Sequence, residues 1–306
     1  MENLVTRILI TGVGGFIGSN LAEHFYSKDY EVIGLDRVSN VEVEQKISKF
    51  IVADLKICDE SIITDNKIDY IVHCAGIASV DLHNTSENTD YLATQKLLNL
   101  SKVSKVKKLI FLSSNKADGE DNYSKSKREM EFLIKKELAS SNIAYTFLRS
   151  SIVYGRGMGS NISTWLKMIE KSAIPALPAS SSRILMISVL DLCKCIEKCI
   201  TNSNTDNKAY VVSDGIPYSI NEIELTARRT FNKPAKYLVC PRFLIYIMSK
   251  IGDLMIHMGI GLPINSRIYT LLFRNTAYLS HEFEKDTGFK ASTTFYTEIP
   301  SIFLKV

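Results

Sequence analysis

Short apolar runs alternate along the first half of the chain with longer stretches whose apolar residues recur every three or four positions. The runs are Ile8 to Ile10, Tyr30-Glu-Val-Ile-Gly-Leu35, Lys49-Phe-Ile-Val-Ala-Asp54, Asp69 to Gly76, Val106 to Ser113 and one within Ala144 to Tyr154. Each is strand-length, and near-continuous hydrophobicity predicts strands covered on both faces, as in parallel sheets. Between them, Phe16, Ile17, Leu21 and Phe25 recur at helical spacing, as do Tyr91, Leu92, Leu97, Leu98 and Leu100. Strands alternating with helices predict an α/β fold built on a doubly wound parallel sheet.

After about residue 155 the texture changes. Gly155, Gly157 and Gly159 mark one loop, and Pro175 and Pro178 another. Ala209 to Ser213 reads as a strand returning to the main sheet. Pro217-Tyr-Ser-Ile-Asn-Glu222 reads as a helix start, with Ser219 and Glu222 as a capping box. The expected division is residues 1–155 as a nucleotide-binding domain and 156–306 as a smaller C-terminal substrate-binding lobe, with about 185–215 returning to the first domain. A ligand cleft is expected at the carboxyl ends of the strands, between these lobes. Pro241 to Ile264 is rich in Ile, Leu, Met and Phe, but Arg242, Lys250, Asp253 and His257 interrupt it, which argues against a membrane span. It reads first as a buried or interface helix, and second as a helix in peripheral contact with a membrane surface.

Charge narrows the partners. The 37 basic and 33 acidic residues leave a net charge of +4 over 306 residues, too balanced for a nucleic-acid binder. The basic run Lys102 to Lys108 reads as a solvated helix end leading into a strand. Of the six cysteines, Cys58, Cys74 and Cys240 are scattered, and Cys193, Cys195 and Cys199 share one predicted helix with no histidine nearby and no Cys-x-x-Cys pair, so no metal site is expected, and reduced thiols fit a cytoplasmic protein. Met1 to Arg7 runs directly into the first strand, so no signal peptide is expected.

The segment joining the first two strands carries the clearest chemistry. Gly12, Gly15 and Gly18 allow a tight turn, a close approach of backbone to a pyrophosphate, and close packing of helix on strand. The following helix, opening at Phe16 and Ile17, offers unpaired N–H groups and the positive end of its dipole. Asp36 ends the second strand 18 residues beyond Gly18, where a carboxylate accepts the hydroxyls of an adenine-side ribose. That favours NAD, since a 2′-phosphate would meet a carboxylate; Arg37, next in sequence, keeps NADP open.

A second constellation lies downstream. Tyr123-Ser-Lys-Ser-Lys127 sets a phenol and an amine four residues apart on one helical face, with Met130, Ile134 and Leu138 as that helix's packing stripe. An ammonium beside a phenol favours the phenolate, so Lys127 is expected to lower the Tyr123 pKa and make it a general base. Ser113 and Ser114 end the strand just upstream.

Thr11-Gly-Val-Gly-Gly-Phe-Ile-Gly18, the strand-end serines and Tyr-x-x-x-Lys together resemble the extended short-chain dehydrogenase/reductase family, the NAD-dependent epimerase/dehydratase branch that acts on nucleotide sugars. The resemblance implies a Rossmann-like fold and a homodimer. It assigns Ser114 to the reacting oxygen (Ser113 as the fallback), Tyr123 to the proton and Lys127 to the nicotinamide ribose. It also implies cofactor contacts from Asp54 and Leu55 and from His73-Cys74-Ala75-Gly76. Arg149 through Tyr154-Gly155 resembles another family segment. Asn115, Asn161 and Arg183 fall near positions that bind the sugar nucleotide, and the fork of Arg183 suits a diphosphate.

The departures from the family pattern narrow the reaction. Only eight residues separate Ser114 from Tyr123, where nucleotide-sugar epimerases usually carry a longer loop. Asp90 replaces a usual asparagine, Ser150 a usual proline, and Ile152 a substrate-binding asparagine of many epimerases. Asn115-Lys116 replaces the aspartate–glutamate pair of sugar dehydratases, which disfavours elimination. Ser113 to Glu120 more closely resembles bacterial polysaccharide 4-epimerases and 4-keto reductases. The leading expectation is an NAD-dependent 4-epimerase of a UDP-hexose or UDP-N-acetylhexosamine. The alternatives are a 4-keto nucleotide-sugar reductase, an epimerase of a polyprenyl-diphosphate-linked sugar, and a non-enzymatic dinucleotide sensor.

Overall fold

A computed structural model describes residues 5–76, 86–104, 106–159, 161–234, 239–258, 264–273 and 278–303. In chain order the elements are β1 (Arg7–Thr11), α1 (Phe16–Tyr26), β2 (Glu31–Asp36), α2 (Val41–Glu44), β3 (Lys49–Val52), α3 (Ser61–Thr64), β4 (Tyr70–His73), α4 (Ser86–Lys102), β5 (Lys108–Ser114), α5 (Asn122–Leu138), β6 (Ala144–Ser150) and β7 (Ile152–Tyr154). There follow α6 (Asn161–Glu170), β8 (Arg183–Ile184), β9 (Met186–Ser188), α7 (Val189–Thr201), β10 (Lys208–Val212), β11 (Tyr218–Ser219), α8 (Ile220–Thr230), α9 (Arg242–His257), α10 (Ser266–Phe273), α11 (Glu282–Thr287) and α12 (Phe295–Phe303). They form two compact units: residues 1–151, 189–212 and 280–290, and residues 152–188, 213–279 and 291–306.

The first unit is a seven-stranded parallel sheet in the order β10-β6-β5-β4-β1-β2-β3. Successive residues on its strands face opposite sides, and both sides are apolar. Leu9, Ile33, Ile71, Leu109 and Phe111 join Leu97, Leu98, Met130 and Ile134 of α4 and α5 in one core. The alternate residues Ile8, Ile10, Val32, Val72 and Ile110 are fully or almost fully buried as well, and α1 packs on α7. Strand order reverses between β1 and β4, whose ends Thr11 and His73 pair. In a doubly wound sheet this reversal opens the crevice that takes a ligand.

Several expectations need correction. The sixth apolar run breaks at Ser151: β6 stays in the main sheet, and β7 pairs with β9 inside the second unit. The segment returning to the first unit is followed by another, residues 280–290, which the expected division places in the C-terminal lobe. Lys108 is buried rather than solvated, its Nζ donating to Cys199 O (2.8 Å), Thr205 Oγ1 (2.7 Å) and Asp206 Oδ1 (2.6 Å). Ser219 makes no side-chain cap, because it pairs in β11, while Glu222 accepts the Tyr296 hydroxyl at 2.9 Å.

The second unit holds two short strand pairs, β7–β9 and β11–β8, and packs α6 and α12 on α8 and α10 on α9. Its interior is aromatic. Tyr218 donates to Asp214 and accepts the Phe295 N–H at 2.8 Å, and Tyr154 stacks edge-on against Phe295. Of the two readings of α9 as a buried or an interface helix, burial within this chain does not hold: among its described side chains only Ile245, Ser249 and Gly252 are buried, in a narrow stripe. No helix among the described residues is long and apolar enough to cross a membrane.

Candidate active site

The turn after β1 is made for backbone alone. Gly12 has φ of 72°, a left-handed conformation, and donates to Leu35 O at 2.8 Å. A Cβ at Gly12 would lie 2.7 Å from Ala75 N, and one at Gly18 would lie 2.1 Å from Gly12 O. Helix α1 therefore sits directly on the turn. It opens at Phe16 and Ile17, capped at Gly15 with no side-chain hydrogen bond, so its first N–H groups are left for an anion. Asp36 is held at the end of β2 by two backbone donors, Gly14 N to Oδ2 (2.9 Å) and Arg37 N to Oδ1 (2.7 Å). Each oxygen keeps a lone pair for a further donor. Arg37 itself is exposed.

The turn beyond β4 lies against this cradle. Cys74 N donates to Thr11 O (3.1 Å), and Ala75 N donates to Thr11 Oγ1 (3.3 Å). Thr11 Oγ1 stands 2.6 Å from His73 Nδ1, and His73 Nε2 stands 3.1 Å from Thr94 Oγ1, which donates to Asp90 O at 2.8 Å. Since the Thr94 proton is spent on Asp90, His73 must carry its proton on Nε2 and accept from Thr11 on Nδ1. Burial, with the charge of Lys127 second, pushes the His73 pKa down to about 3, so the ring is neutral. The relay ties the ends of β1 and β4 to α4. The sequence offers no signal for Thr94, and His73 shows only as part of the quoted His-Cys-Ala-Gly string.

Ser114, at the buried end of β5, stands close enough to Tyr123, in the first turn of α5, for its hydroxyl to favour the ionised phenol. Lys116 N donates to Ser114 Oγ at 3.2 Å, which leaves the Ser114 proton for the phenol. Ser113 is committed elsewhere, donating to Glu131 Oε1 at 2.5 Å, so of the two serines only Ser114 faces the phenol. The short loop closes tightly: Ala117 N bonds Ser114 O (2.9 Å), Gly119 N bonds Lys116 O (2.8 Å), and Asp121 caps α5 through Ser124 N (3.0 Å).

Lys127 departs from expectation. Its Nζ lies 6.0 Å from the Tyr123 ring centre and 5.0 Å from that of Phe111, and donates to Leu112 O at 3.1 Å. The lysine turns toward β5 instead of the phenol, so it does not lower the Tyr123 pKa. Burial holds that pKa above the ordinary phenol value, opposed by the nearby Ser114 hydroxyl and reinforced by Asp121. Burial also lowers the Lys127 pKa, opposed by the charge of Asp90. Both side chains converge near Gly76, where a Cβ would lie 3.4 Å from Asp90 Oδ2 and 3.6 Å from Lys127 Nζ.

The remaining predicted residues divide. Asp54 is half-buried and accepts from Lys56 N at 3.0 Å, whereas the Leu55 side chain is in the core, leaving only its backbone for a ligand. Asn115 N bonds Ser150 O at 3.0 Å beside Ser114. Asn161 and Arg183 belong to the second unit. Asn161 opens α6, with its side chain outside the described residues, and Arg183 Nη1 donates to Ser182 O at 3.2 Å. Glu131, which no motif marks, is buried and takes a two-pronged pair from Arg149, Nε to Oε1 (2.9 Å) and Nη2 to Oε2 (2.6 Å). That pair fixes α5 to β6. No group of residues that could hold a metal occurs among the described residues.

A backbone-only cradle at the sheet's reversal point, an uncapped helix start and a pinned carboxylate fit a dinucleotide, which defines the class: a Rossmann-like α/β protein that binds NAD. Residues 8–213 match the model of the NAD dependent epimerase/dehydratase family, and the chain belongs to that family. It is 26% identical to the UDP-glucose 4-epimerase of Vibrio cholerae over 273 residues, 80% of this chain and 81% of that protein. Its fold is similar to that of the Thermotoga maritima UDP-glucose 4-epimerase with UDP-glucose (TM-score 0.76, 18% identity, 97% of both chains). It is also similar to that of the UDP-N-acetylglucosamine 4-epimerase of Methanobrevibacter ruminantium (TM-score 0.75, 19% identity, 97% of both chains).

Proposed function

We propose that this protein interconverts two epimers at C4 of a nucleotide-activated sugar, a UDP-hexose or UDP-N-acetylhexosamine, through a 4-keto intermediate. The observation that carries the reading is the placement of Ser114 beside Tyr123, across the short loop and in the same unit as the glycine cradle, where the serine hydroxyl favours the ionised phenol. Gly12, Gly15, the N–H groups of Phe16 to Gly18 and Asp36 would hold NAD, with Cys74 to Gly76 and Lys127 along its path. Bound there, NAD supplies a reversible hydride acceptor and a positive charge that favours the phenolate.

Tyr123 takes the proton of the C4 hydroxyl and returns one when the ketone is reduced from its other face. Ser114 holds the reacting oxygen, and its hydroxyl beside the phenol offsets part of the burial that opposes ionisation. Asn115 and Lys116 offer no carboxylate pair, so elimination lacks its acid and base. Asn161 and Arg183 are proposed as sugar-nucleotide ligands.

The purified protein, incubated with UDP-glucose or UDP-N-acetylglucosamine and no added reductant, should form the C4 epimer. Tyr123→Phe should lower that rate by about 10²–10⁴-fold with NAD binding retained. No isomer from either substrate, together with consumption of NADH on a 4-keto sugar, would replace this reading with a reductase.

A further inference from the structure

Helix α9 is apolar over more than half of its circumference, yet among the described side chains only its narrow Ile245, Ser249, Gly252 stripe is covered. At 100° per residue, Phe243, Leu244, Ile247, Met248, Ile251 and Leu254 fall on one continuous arc of about 140°. All six are 40–63% exposed. A helix of this composition is ordinarily buried or laid on lipid, and an apolar patch of this extent marks an interaction surface. Lys250 borders the arc, 5.6 Å from the Tyr246 ring centre and 4.0 Å from Asp253, while Arg242, at the start of the helix and off the arc, lies 4.8 Å from the Phe273 ring centre.

Behind the arc is a cavity of about 380 Å³ with an almost wholly apolar wall. Met248 and Ile251 belong both to the exposed arc and to that wall, so the cavity adjoins the face. Trp165 lines it too, and its indole N–H is buried without a hydrogen-bond partner. The volume is within the range of sites that hold small apolar ligands.

Charge selects the occupant. The second unit carries thirteen Lys and Arg against six Asp and Glu, a formal +7, while the first unit carries −3. Lys167 and Lys171 are exposed at the end of α6, the helix whose Trp165 and Met168 line the cavity. A second copy docked face to face would bring two such basic units together, which like-charge repulsion opposes. An anionic lipid surface meets the same charge with attraction and the same apolar arc with hydrocarbon.

We propose that α9 docks the second unit on an anionic lipid bilayer and that the cavity behind it receives one lipid hydrocarbon chain. The full-length protein should sediment with mixed phosphatidylcholine–phosphatidylglycerol vesicles, less with phosphatidylcholine alone, and be released by salt. Leu254→Glu and Phe243→Glu, at exposed positions, should each weaken binding about tenfold with the melting temperature unchanged. Ile57→Glu, on the exposed surface of the first unit, should bind as the parent does. Trp165 is the sole tryptophan, so vesicles with brominated chains should quench its fluorescence if a chain enters. Protein left in the supernatant with every vesicle, or variants binding like the parent, would overturn docking, and sedimentation without quenching would overturn chain uptake. If the parent ignores vesicles while Leu254→Glu lowers its oligomeric state, the face is a contact between copies instead. None of these readouts uses catalysis, so they stand apart from the epimerase reading.

Discussion

Gly18→Ala tests the cradle with a single methyl group. The new Cβ would stand 2.1 Å from Gly12 O and 2.8 Å from Val13 Cα, both backbone atoms that cannot swing aside. Opening the first contact from 2.1 Å to about 3.3 Å means driving α1 and the turn apart by roughly 1.2 Å, a strain of the kind that costs about 1–3 kcal/mol. The melting temperature of a unit this size should fall by about 2–4 °C for each kcal/mol. The shift also moves Gly14, whose N–H pins Asp36, so both ends of the dinucleotide site are disturbed together. NAD affinity, measured by calorimetry on the purified protein, should fall at least about tenfold. Gly159→Ala is the control: nothing lies within 4 Å of its Cβ, and it should match the parent in both measurements. A Gly18→Ala protein that melts with the parent and binds NAD within about twofold would refute the backbone-only cradle.

Three further perturbations probe the rest of the site. Ser114→Ala should reduce kcat by about 10²-fold, whereas Ser113→Ala should reduce it less than about threefold, because Glu131 keeps both prongs of Arg149; equal losses in steady-state assays would return the role to Ser113. Glu131→Gln breaks a mostly buried ion pair and should cost about 3–5 kcal/mol in denaturant unfolding, with kcat falling through α5; unchanged stability would show that α5 is held without it. His73 takes a proton in the unfolded chain at its ordinary 6.5 but resists one in the fold until about 3. Its contribution is therefore full above the unfolded value and is lost as pH falls between the two, by at most ~1.4 kcal/mol per pH unit. His73→Gln should flatten that part of the stability–pH curve, and an unaltered slope would place the acid sensitivity elsewhere.

What was legible in the chain follows from how local each cause is. The cradle is written in consecutive residues, because a tight turn, a helix start and a strand end are short-range events, and Asp36 needs only the length of one helix to be located. Strand runs are equally local, although the break at Ser151 depends on β7 finding β9, more than thirty residues away. Lys108 looked solvated because its three acceptors lie beyond position 198, and only the packed sheet brings them to it. The effect of Lys127 on Tyr123 was misjudged for a related reason. Four-residue spacing sets the face of a helix but not the rotamer, and the Leu112 carbonyl with the Phe111 ring takes the ammonium toward β5. The exposure of α9 was also hidden, since an apolar stretch reads as core until its neighbours are known.

The short loop before Tyr123 raises the question of how a clipped connection holds a phenol in register, and the links on either side answer it. Eight residues leave too little slack for a wandering loop, and here they make two tight turns that end on the Asp121 cap. Arg128 reaches back from α5 to the carbonyls of Ala117 and Gly119, both at 3.2 Å, so the loop is clasped by the helix it feeds. One turn further along, Glu131 binds Ser113 on β5 and Arg149 on β6, and Arg149 returns to Asp118 in the loop at 3.1 Å. The clasp thus runs from loop to helix, helix to sheet and sheet to loop. A closed circuit of this kind fixes Tyr123 by its neighbours on both sides, which is what a longer loop with its own packing would otherwise have to supply. On that reasoning the proton-transfer geometry depends more on Glu131 than on any residue of the loop.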